Sequence, residues 1–213
     1  MAAAGSAVKD LFSGIKSLKD SVVGSFTREL NFASSFAAIG DKISKTSRLV
    51  GFSVKDYQAL SSAAQHAGMS AEEMDGALKR FNVNLGKARS GDKSAYKMFD
   101  SILGGKKLSG YKDSLSLFTA IADSYKKIGS VEKKAFVSQE LFGKSGSKIV
   151  ELFSEGGAGI KKAVAAFESN GGGFSDKGAE NAELFNDELQ NVKETINSLK
   201  ISVAQELFPT FIE

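Results

Sequence analysis

Apolar residues recur at steps of three and four along most of the chain, and this spacing predicts helices. The first such stripe runs from Val8 through Leu30 to Ile43 and ends near Gly51. Residues three and four apart share one side of a helix, so the stripe predicts a long amphipathic helix over residues 1–50. The sequence shows no sustained alternation of apolar and polar residues, which predicts an all-α protein.

Two helix starts are marked by capping residues in the part of the chain that follows. Ser53 precedes a helical pattern with Asp56 three residues later, and Ser70 precedes the next pattern with Glu73 at the same spacing. At this spacing the serine side chain accepts from the backbone and the acid reaches back, which fixes a helix start. Gly68 suits the end of the first helix, so the two patterns predict a helical hairpin.

Short glycine-punctuated helices are predicted over the rest of the central region, residues 51–173. They fall at 92–103, 113–128 and 130–142, with one more inside 154–173. The stretch GGKKLSG at 104–110 predicts a flexible break between them.

The most regular apolar spacing lies in the C-terminal region, residues 174–213. Seven residues there follow one another at steps of 4, 3, 4, 3, 4 and 4: Phe185, Leu189, Val192, Ile196, Leu199, Val203 and Leu207. This is close to the 3.5-residue average of helices that wind around each other. Pro209 ends the pattern. The segment therefore predicts a coiled-coil-like helix through which copies of the chain associate.

Composition narrows the chemistry that this helical chain can perform. It contains one Pro, no Cys and one His, His66, among 213 residues. These counts exclude disulfides, thiol nucleophiles and multi-histidine metal sites. There is no run of about 18 apolar residues, so no membrane-spanning segment is predicted. We expect no catalytic residue, no metal site, no cofactor and no small-molecule ligand.

Charge is distributed unevenly along the chain. Residues 1–169 carry 25 basic and 17 acidic side chains, whereas residues 170–213 carry 3 basic and 8 acidic ones. An acidic end on a basic body could pair chains head to tail, or could solvate exposed helix faces. The lysines occur as scattered pairs with acidic residues between them. Because they form no basic cluster in the sequence, we do not expect specific nucleic-acid binding.

The stretch ELFGKSGSKI at 140–149 contains Gly143-Lys144-Ser145, a piece of a phosphate-binding loop. Such a loop needs a second glycine five residues earlier and a strand before it. Ser138 occupies that position, inside a helical pattern. We therefore interpret the stretch as a turn, in which Gly143 ends one helix and Ser145 caps the next.

Several short motifs occur in a fixed order along residues 40–213. They are Gly51, Ser53, Asp56 and Gln58; Gly68, Ser70, Glu72 and Glu73; the turn Leu141, Phe142, Gly143, Lys144, Ser145 and Gly146; and Phe185, Asn186 and Asp187. In this combination the chain resembles the tape measure proteins of long-tailed bacteriophages and prophages.

The resemblance implies a structural ruler rather than an enzyme. Several copies would bundle along the tail axis, tail tube protein would polymerise around them with tail assembly chaperones, and the bundle would be ejected ahead of the DNA. The chain would then reside in the tail lumen of the virion, and in the host cytoplasm during assembly. Tape measure proteins are usually far longer and carry hydrophobic segments, so the resemblance implies a fragment of a longer chain.

Two other functions remain open at the level of sequence. One is a non-viral helical scaffolding protein that associates through its coiled coil. The other is a fragment of a tail-associated cell-wall hydrolase, which would need paired carboxylates in a cleft.

Overall fold

The computed structural model describes residues 31–207, except the side chains of Lys200, Val203, Ala204, Glu206 and Leu207. Within this range every regular element is a helix and there is no strand, which confirms the prediction of an all-α protein. The predicted stripe from Val8 to Leu30 lies outside the described residues, and its continuation is helical over residues 31–50.

The helices in chain order are α1 (31–50), α2 (Val54–His66), α3 (Ala71–Arg89), α4 (Lys93–Leu103), α5 (Ser114–Lys126), α6 (Val131–Phe142), α7 (Gly146–Ile149), α8 (Gly157–Ser169) and α9 (Asp176–Leu207). Two 3-10 turns, Leu108–Gly110 and Gly143–Ser145, join some of them. The predicted flexible break at 104–110 instead contains one of these turns, and Leu108 within it is buried in the core.

The chain forms two compact units whose limits fall inside α1 and α9. One unit comprises residues 42–180, and the other combines the described residues 31–41 with residues 181–207. These limits differ from the predicted ones after residues 50 and 173.

The 42–180 unit is built around a cluster of phenylalanine rings. Phe118 lies among the rings of Phe52, Phe81, Phe142 and Phe153, with centroid distances between 5.0 and 5.9 Å. All four pairs meet edge to face, an arrangement in which each pair contributes about 0.5–1.5 kcal/mol of stability beyond the burial of area. The unit therefore has an apolar core of its own, supplied by residues from Val50 to Ile160.

Serine residues cap the N-termini of α2 and α3, but the hydrogen bonds at the two caps differ. Ser53 Oγ accepts from the amide of Asp56, but the described hydrogen bonds include no return bond from the Asp56 carboxylate. The α2 amide of Val54 donates to Asp176 Oδ1 instead, at 3.1 Å. The predicted reciprocal bond of Asp56 is therefore wrong, because its side chain is one methylene shorter than that of glutamate and does not reach back.

The start of α3 has the complete capping box. Ser70 Oγ accepts from the Glu73 amide at 3.2 Å, and Glu73 Oε2 accepts from the Ser70 amide at 3.0 Å. Glu73 Oε1 also accepts from Lys148 Nζ at 2.6 Å. The hydrogen bond from Lys148 is the main cause that lowers the pKa of the Glu73 carboxyl, and the Ser70 amide adds to it. The capping residue thus also links the α2–α3 hairpin to α7.

A buried tyrosine holds the same hairpin together. The hydroxyl of Tyr57 on α2 donates to Asp75 Oδ1 on α3 at 2.7 Å. Burial raises the pKa of the Tyr57 hydroxyl, and the bond to Asp75 raises it further. Tyr57 therefore stays neutral and remains a hydrogen-bond donor at physiological pH.

Candidate functional site

The turn at residues 141–146 connects α6 to α7. Leu141 and Phe142 are buried in the core, and Gly143 ends α6 with a φ of +67°. The 3-10 turn runs directly into α7, so the Gly146 amide donates to the carbonyl of Gly143. Ser145 makes no side-chain hydrogen bond at the start of α7, so its predicted capping role is wrong. Ser145 has right-handed helical backbone angles, φ −81° and ψ −2°, whereas a capping residue has an extended backbone that brings its side chain to the amides of the first turn.

Gly146 is the closest point of contact within this turn. A Cβ atom at this position would lie 2.3 Å from the carbonyl oxygen of Ser138 and 2.6 Å from its carbonyl carbon. The glycine thus allows α7 to pack against the backbone of α6. The Gly-Lys-Ser sequence joins two helices here, and a phosphate-binding loop requires a preceding strand.

Replacing Gly146 by alanine is expected to lower the free energy of unfolding by about 1–3 kcal/mol, because backbone atoms must move to admit the methyl group. Gly76 provides the matched control, since it is exposed within α3 and an added Cβ meets no atom within 4 Å. Alanine at Gly76 is expected to raise the free energy of unfolding by up to about 1 kcal/mol. Urea unfolding followed by circular dichroism measures both. Two effects of the same sign would contradict the close approach of α7 to α6.

His66 lies exposed at the end of α2, beside a shallow groove between α2 and α8. The groove has a volume of about 360 Å³, and Glu151 and Glu155 also line it. Sequence reasoning missed these carboxylates because they are far from His66 along the chain. The packing of α8 against α2 therefore brings the two glutamates and His66 to the same groove.

The predicted association residues all fall on α9, a helix of 32 residues that is about 48 Å long at 1.5 Å per residue. Four of them are exposed: Phe185 by 44%, Val192 by 53%, Ile196 by 46% and Leu199 by 60%. Leu189 is half-buried, and the side chains of Val203 and Leu207 lie outside the described residues. At least four large apolar side chains thus remain in contact with solvent along one helix.

These residues form one stripe rather than a scattered set. At about 100° per residue, the seven predicted positions fall within an arc of about 80° around α9. Ile201, which is also exposed, lies about 160° from Phe185 on the opposite side of the helix. We call the seven residues from Phe185 to Leu207 the α9 stripe.

The unit that contains the α9 stripe has almost no apolar interior. Among its described residues, the buried apolar side chains are Ala37 on α1 and Ala182 on α9. Phe32 and Ile39 on α1 are exposed by 72% and 55%. Exposed apolar surface concentrated in this way is typical of a surface that another molecule covers.

A hydrogen bond connects α1 to α9 within this unit. Asn186 Nδ2 donates to Asp41 Oδ2 at 3.1 Å. Asn186 belongs to the Phe-Asn-Asp motif at 185–187, so the motif's first residue lies on the apolar stripe and its second binds α1.

In the part of the chain that the structure describes, no helix is both long and apolar enough to cross a membrane. No protein-family model, curated protein or solved structure matches the chain. The described residues therefore define an all-α protein with a compact 42–180 unit and a long helix that exposes an apolar stripe. The resemblance to tape measure proteins rests on the sequence motifs.

Proposed function

We propose that the chain is part of a bacteriophage tail tape measure protein, and that its copies associate through the α9 stripe into a helical bundle. The exposure of the stripe carries this proposal. The 42–180 unit has its own core, whereas four residues of the stripe are 44% to 60% exposed and the buried apolar side chains among the described residues of their unit are two alanines. Burial of an exposed aliphatic or phenyl side chain contributes about 1.5–3 kcal/mol, so pairing several of them favours association.

Helical structure suits a ruler because it converts residue number into length. Each residue adds about 1.5 Å, so 213 helical residues would span about 320 Å at most. Tail tube protein would polymerise around the bundle, with tail assembly chaperones as further partners, until the bundle is enclosed. The bundle then leaves the tail ahead of the DNA. No step in this sequence requires a catalytic residue or a cofactor.

The charges beside the α9 stripe favour parallel copies. In a parallel pair, Glu188 lies opposite Lys193 of the neighbouring copy, since flanking positions five residues apart meet across the stripe. An antiparallel pair would instead bring Lys193 and Lys200 of the two copies together, and like charges facing each other are destabilising. A ruler also needs all copies to point in the same direction.

The length of the tail tests the proposed function. Duplicating residues 182–202 adds 21 residues, which is three heptads, and keeps the stripe in phase. Tails are then expected to lengthen by about 32 Å, from the rise of 1.5 Å per residue. The measurement is the mean tail length of virions that carry the altered gene, by electron microscopy.

Deletion of residues 189–202 is the matched change of opposite sign. It removes two heptads and is expected to shorten tails by about 21 Å. Tails of unchanged length in both variants would contradict the ruler function. Association through α9 with no effect on tails would favour a scaffolding protein instead.

A further inference from the structure

A second feature of the molecule, independent of the α9 stripe, is a basic pocket on the 42–180 unit. It opens where the end of α3 and the start of α4 meet residues 107–112, and its volume is about 530 Å³. Arg89, Lys107 and Lys112 line it together with Tyr96 and Tyr111. No acidic residue belongs to its lining. We call these five residues the basic pocket.

Positive charge is concentrated in the segment of sequence that lines this pocket. Residues 87–112 carry seven basic and two acidic side chains, whereas the whole 42–180 unit carries 22 basic and 15 acidic ones. The segment thus supplies five of the unit's seven net positive charges. One of its acids, Asp92, accepts from the amides of Ser94 and Ala95 as the cap of α4. Among the described residues, Arg89, Lys107 and Lys112 form no ion pair with an acidic group.

The pocket also has aromatic and apolar walls. Tyr96 is 41% exposed and Tyr111 is half-buried. The lining also includes the buried residues Ala88 and Leu108. A simple anion would contact only the basic side chains of the pocket. A nucleotide would contact both parts of it, with its base on a tyrosine ring and its phosphate at the basic side chains. Bases stack on aromatic side chains, and phosphates pair with arginine and lysine.

We propose that the basic pocket binds a nucleotide unit of single-stranded nucleic acid, with the base against Tyr96 and the phosphates at Arg89, Lys107 and Lys112. Stacking is tolerant of sequence because every base has a flat face, so this binding is not sequence-specific. It therefore agrees with the expectation that specific recognition is unfavoured. The three cations lie at positions 89, 107 and 112 of the sequence, and the fold brings them together around two tyrosines.

Anisotropy of a fluorescent 15-residue oligothymidine, titrated with the full chain at 100 mM salt, tests the proposal. The substitutions Arg89→Gln, Lys107→Gln and Lys112→Gln together are expected to weaken binding by about tenfold or more. They should also reduce the slope of log affinity against log salt by about 2, since each phosphate contact on a single strand contributes about 0.7.

A triple variant outside the pocket separates this site from the general charge of the chain. Lys127→Gln, Lys133→Gln and Lys161→Gln remove the same charge from exposed positions that do not line the pocket. This control is expected to bind within about twofold of the unchanged chain, because it retains the pocket contacts. Equal losses in the two triple variants would overturn the proposal in favour of diffuse electrostatic attraction.

The tyrosine tests the stacking half of the proposal. Tyr96→Leu is expected to weaken binding by about fivefold or more, whereas Tyr96→Phe keeps a stacking ring and should retain affinity. Tyr96 is exposed on the surface of α4, so neither change removes a buried core residue. Unchanged binding by Tyr96→Leu would overturn the assignment of the base to this wall.

Competing ligands distinguish the possible sources of the nucleotide. Unlabelled oligothymidine should compete at far lower concentration than thymidine monophosphate, because a strand places several phosphates near the basic segment. Competition by the monophosphate at equal concentration would overturn the assignment to a strand and point to a free nucleotide. Equally strong competition by a duplex or by polyglutamate would show that stacking is not used and would overturn the proposal. These experiments do not test the ruler function, because none of the substitutions lies on α9.

Discussion

Replacing Ile196 and Leu199 by glutamate is expected to convert the self-associated chain into monomers. Ile196 and Leu199 are 46% and 60% exposed in one copy, so each forfeits about half of the 1.5–3 kcal/mol of full burial, and a pair of copies loses about 3–6 kcal/mol. This corresponds to a fall of about 10²–10⁴-fold in the association constant. Sedimentation velocity measures the effect, and circular dichroism shows whether α9 remains helical.

The matched control for this prediction is Ile201→Glu on the same helix. Ile201 is 59% exposed but lies opposite the α9 stripe. The same substitution there should leave association unchanged. Dissociation by Ile201→Glu to the same extent would show that the stripe is not the contact surface.

Charge reversal beside the stripe then tests whether the α9 helices of neighbouring copies are parallel or antiparallel. Glu188→Lys or Lys193→Glu alone should weaken association by about threefold to tenfold, since an exposed ion pair contributes a few tenths to 1 kcal/mol and each parallel pair of copies contains two. The double variant should recover the loss. A double variant weaker than either single variant would contradict the parallel arrangement.

The second large effect is expected in the core of the 42–180 unit. Phe118→Ala should lower the free energy of unfolding by about 3–5 kcal/mol, because it removes a buried ring and leaves a cavity. Phe118 is fully buried and its ring meets four other phenylalanine rings. Urea unfolding monitored by circular dichroism and tyrosine fluorescence measures this loss.

Phe136→Ala supplies the control, because Phe136 is 65% exposed on α6. The same substitution at this surface position should change the free energy of unfolding by less than about 0.5 kcal/mol. Similar losses at Phe118 and Phe136 would mean that the ring cluster does not form the core of the unit.

Local spacing was sufficient to predict most of the helices. The periodic stripe located α9, and the serine and glutamate at 70 and 73 located the start of α3, because both signals depend on neighbours within a few residues. The interpretation of residues 140–149 as a turn placed a helix after Ser145, where α7 begins, although four residues are too few to show a period. Local spacing misassigned Asp56 and Ser145, whose roles depend on side-chain reach and on the preceding turn.

Contacts between distant segments could not be predicted from one sequence. Gln58 donates to the carbonyl of Phe174 and accepts from its amide, although the two residues lie 116 positions apart. Asn84 donates to the carbonyl of Glu140 in the same manner. In a helical pattern such amides resemble ordinary surface residues, and only the fold shows the backbone groups that they satisfy. The basic pocket escaped prediction for the same reason, because it combines α3, α4 and the following turn.

The mass of the chain in solution tests the central claim, that copies associate through the α9 stripe. Light scattering coupled to size-exclusion chromatography should be run on the intact chain and on a chain ending at residue 184. The cut keeps Phe174 and Asp176, which bind Gln58 and the Val54 amide, so the 42–180 unit stays intact. We predict a multiple of 22.5 kDa for the intact chain and a monomer for the shortened one. Monomers of both at every concentration, or an oligomer that survives the cut, would contradict association through the α9 stripe.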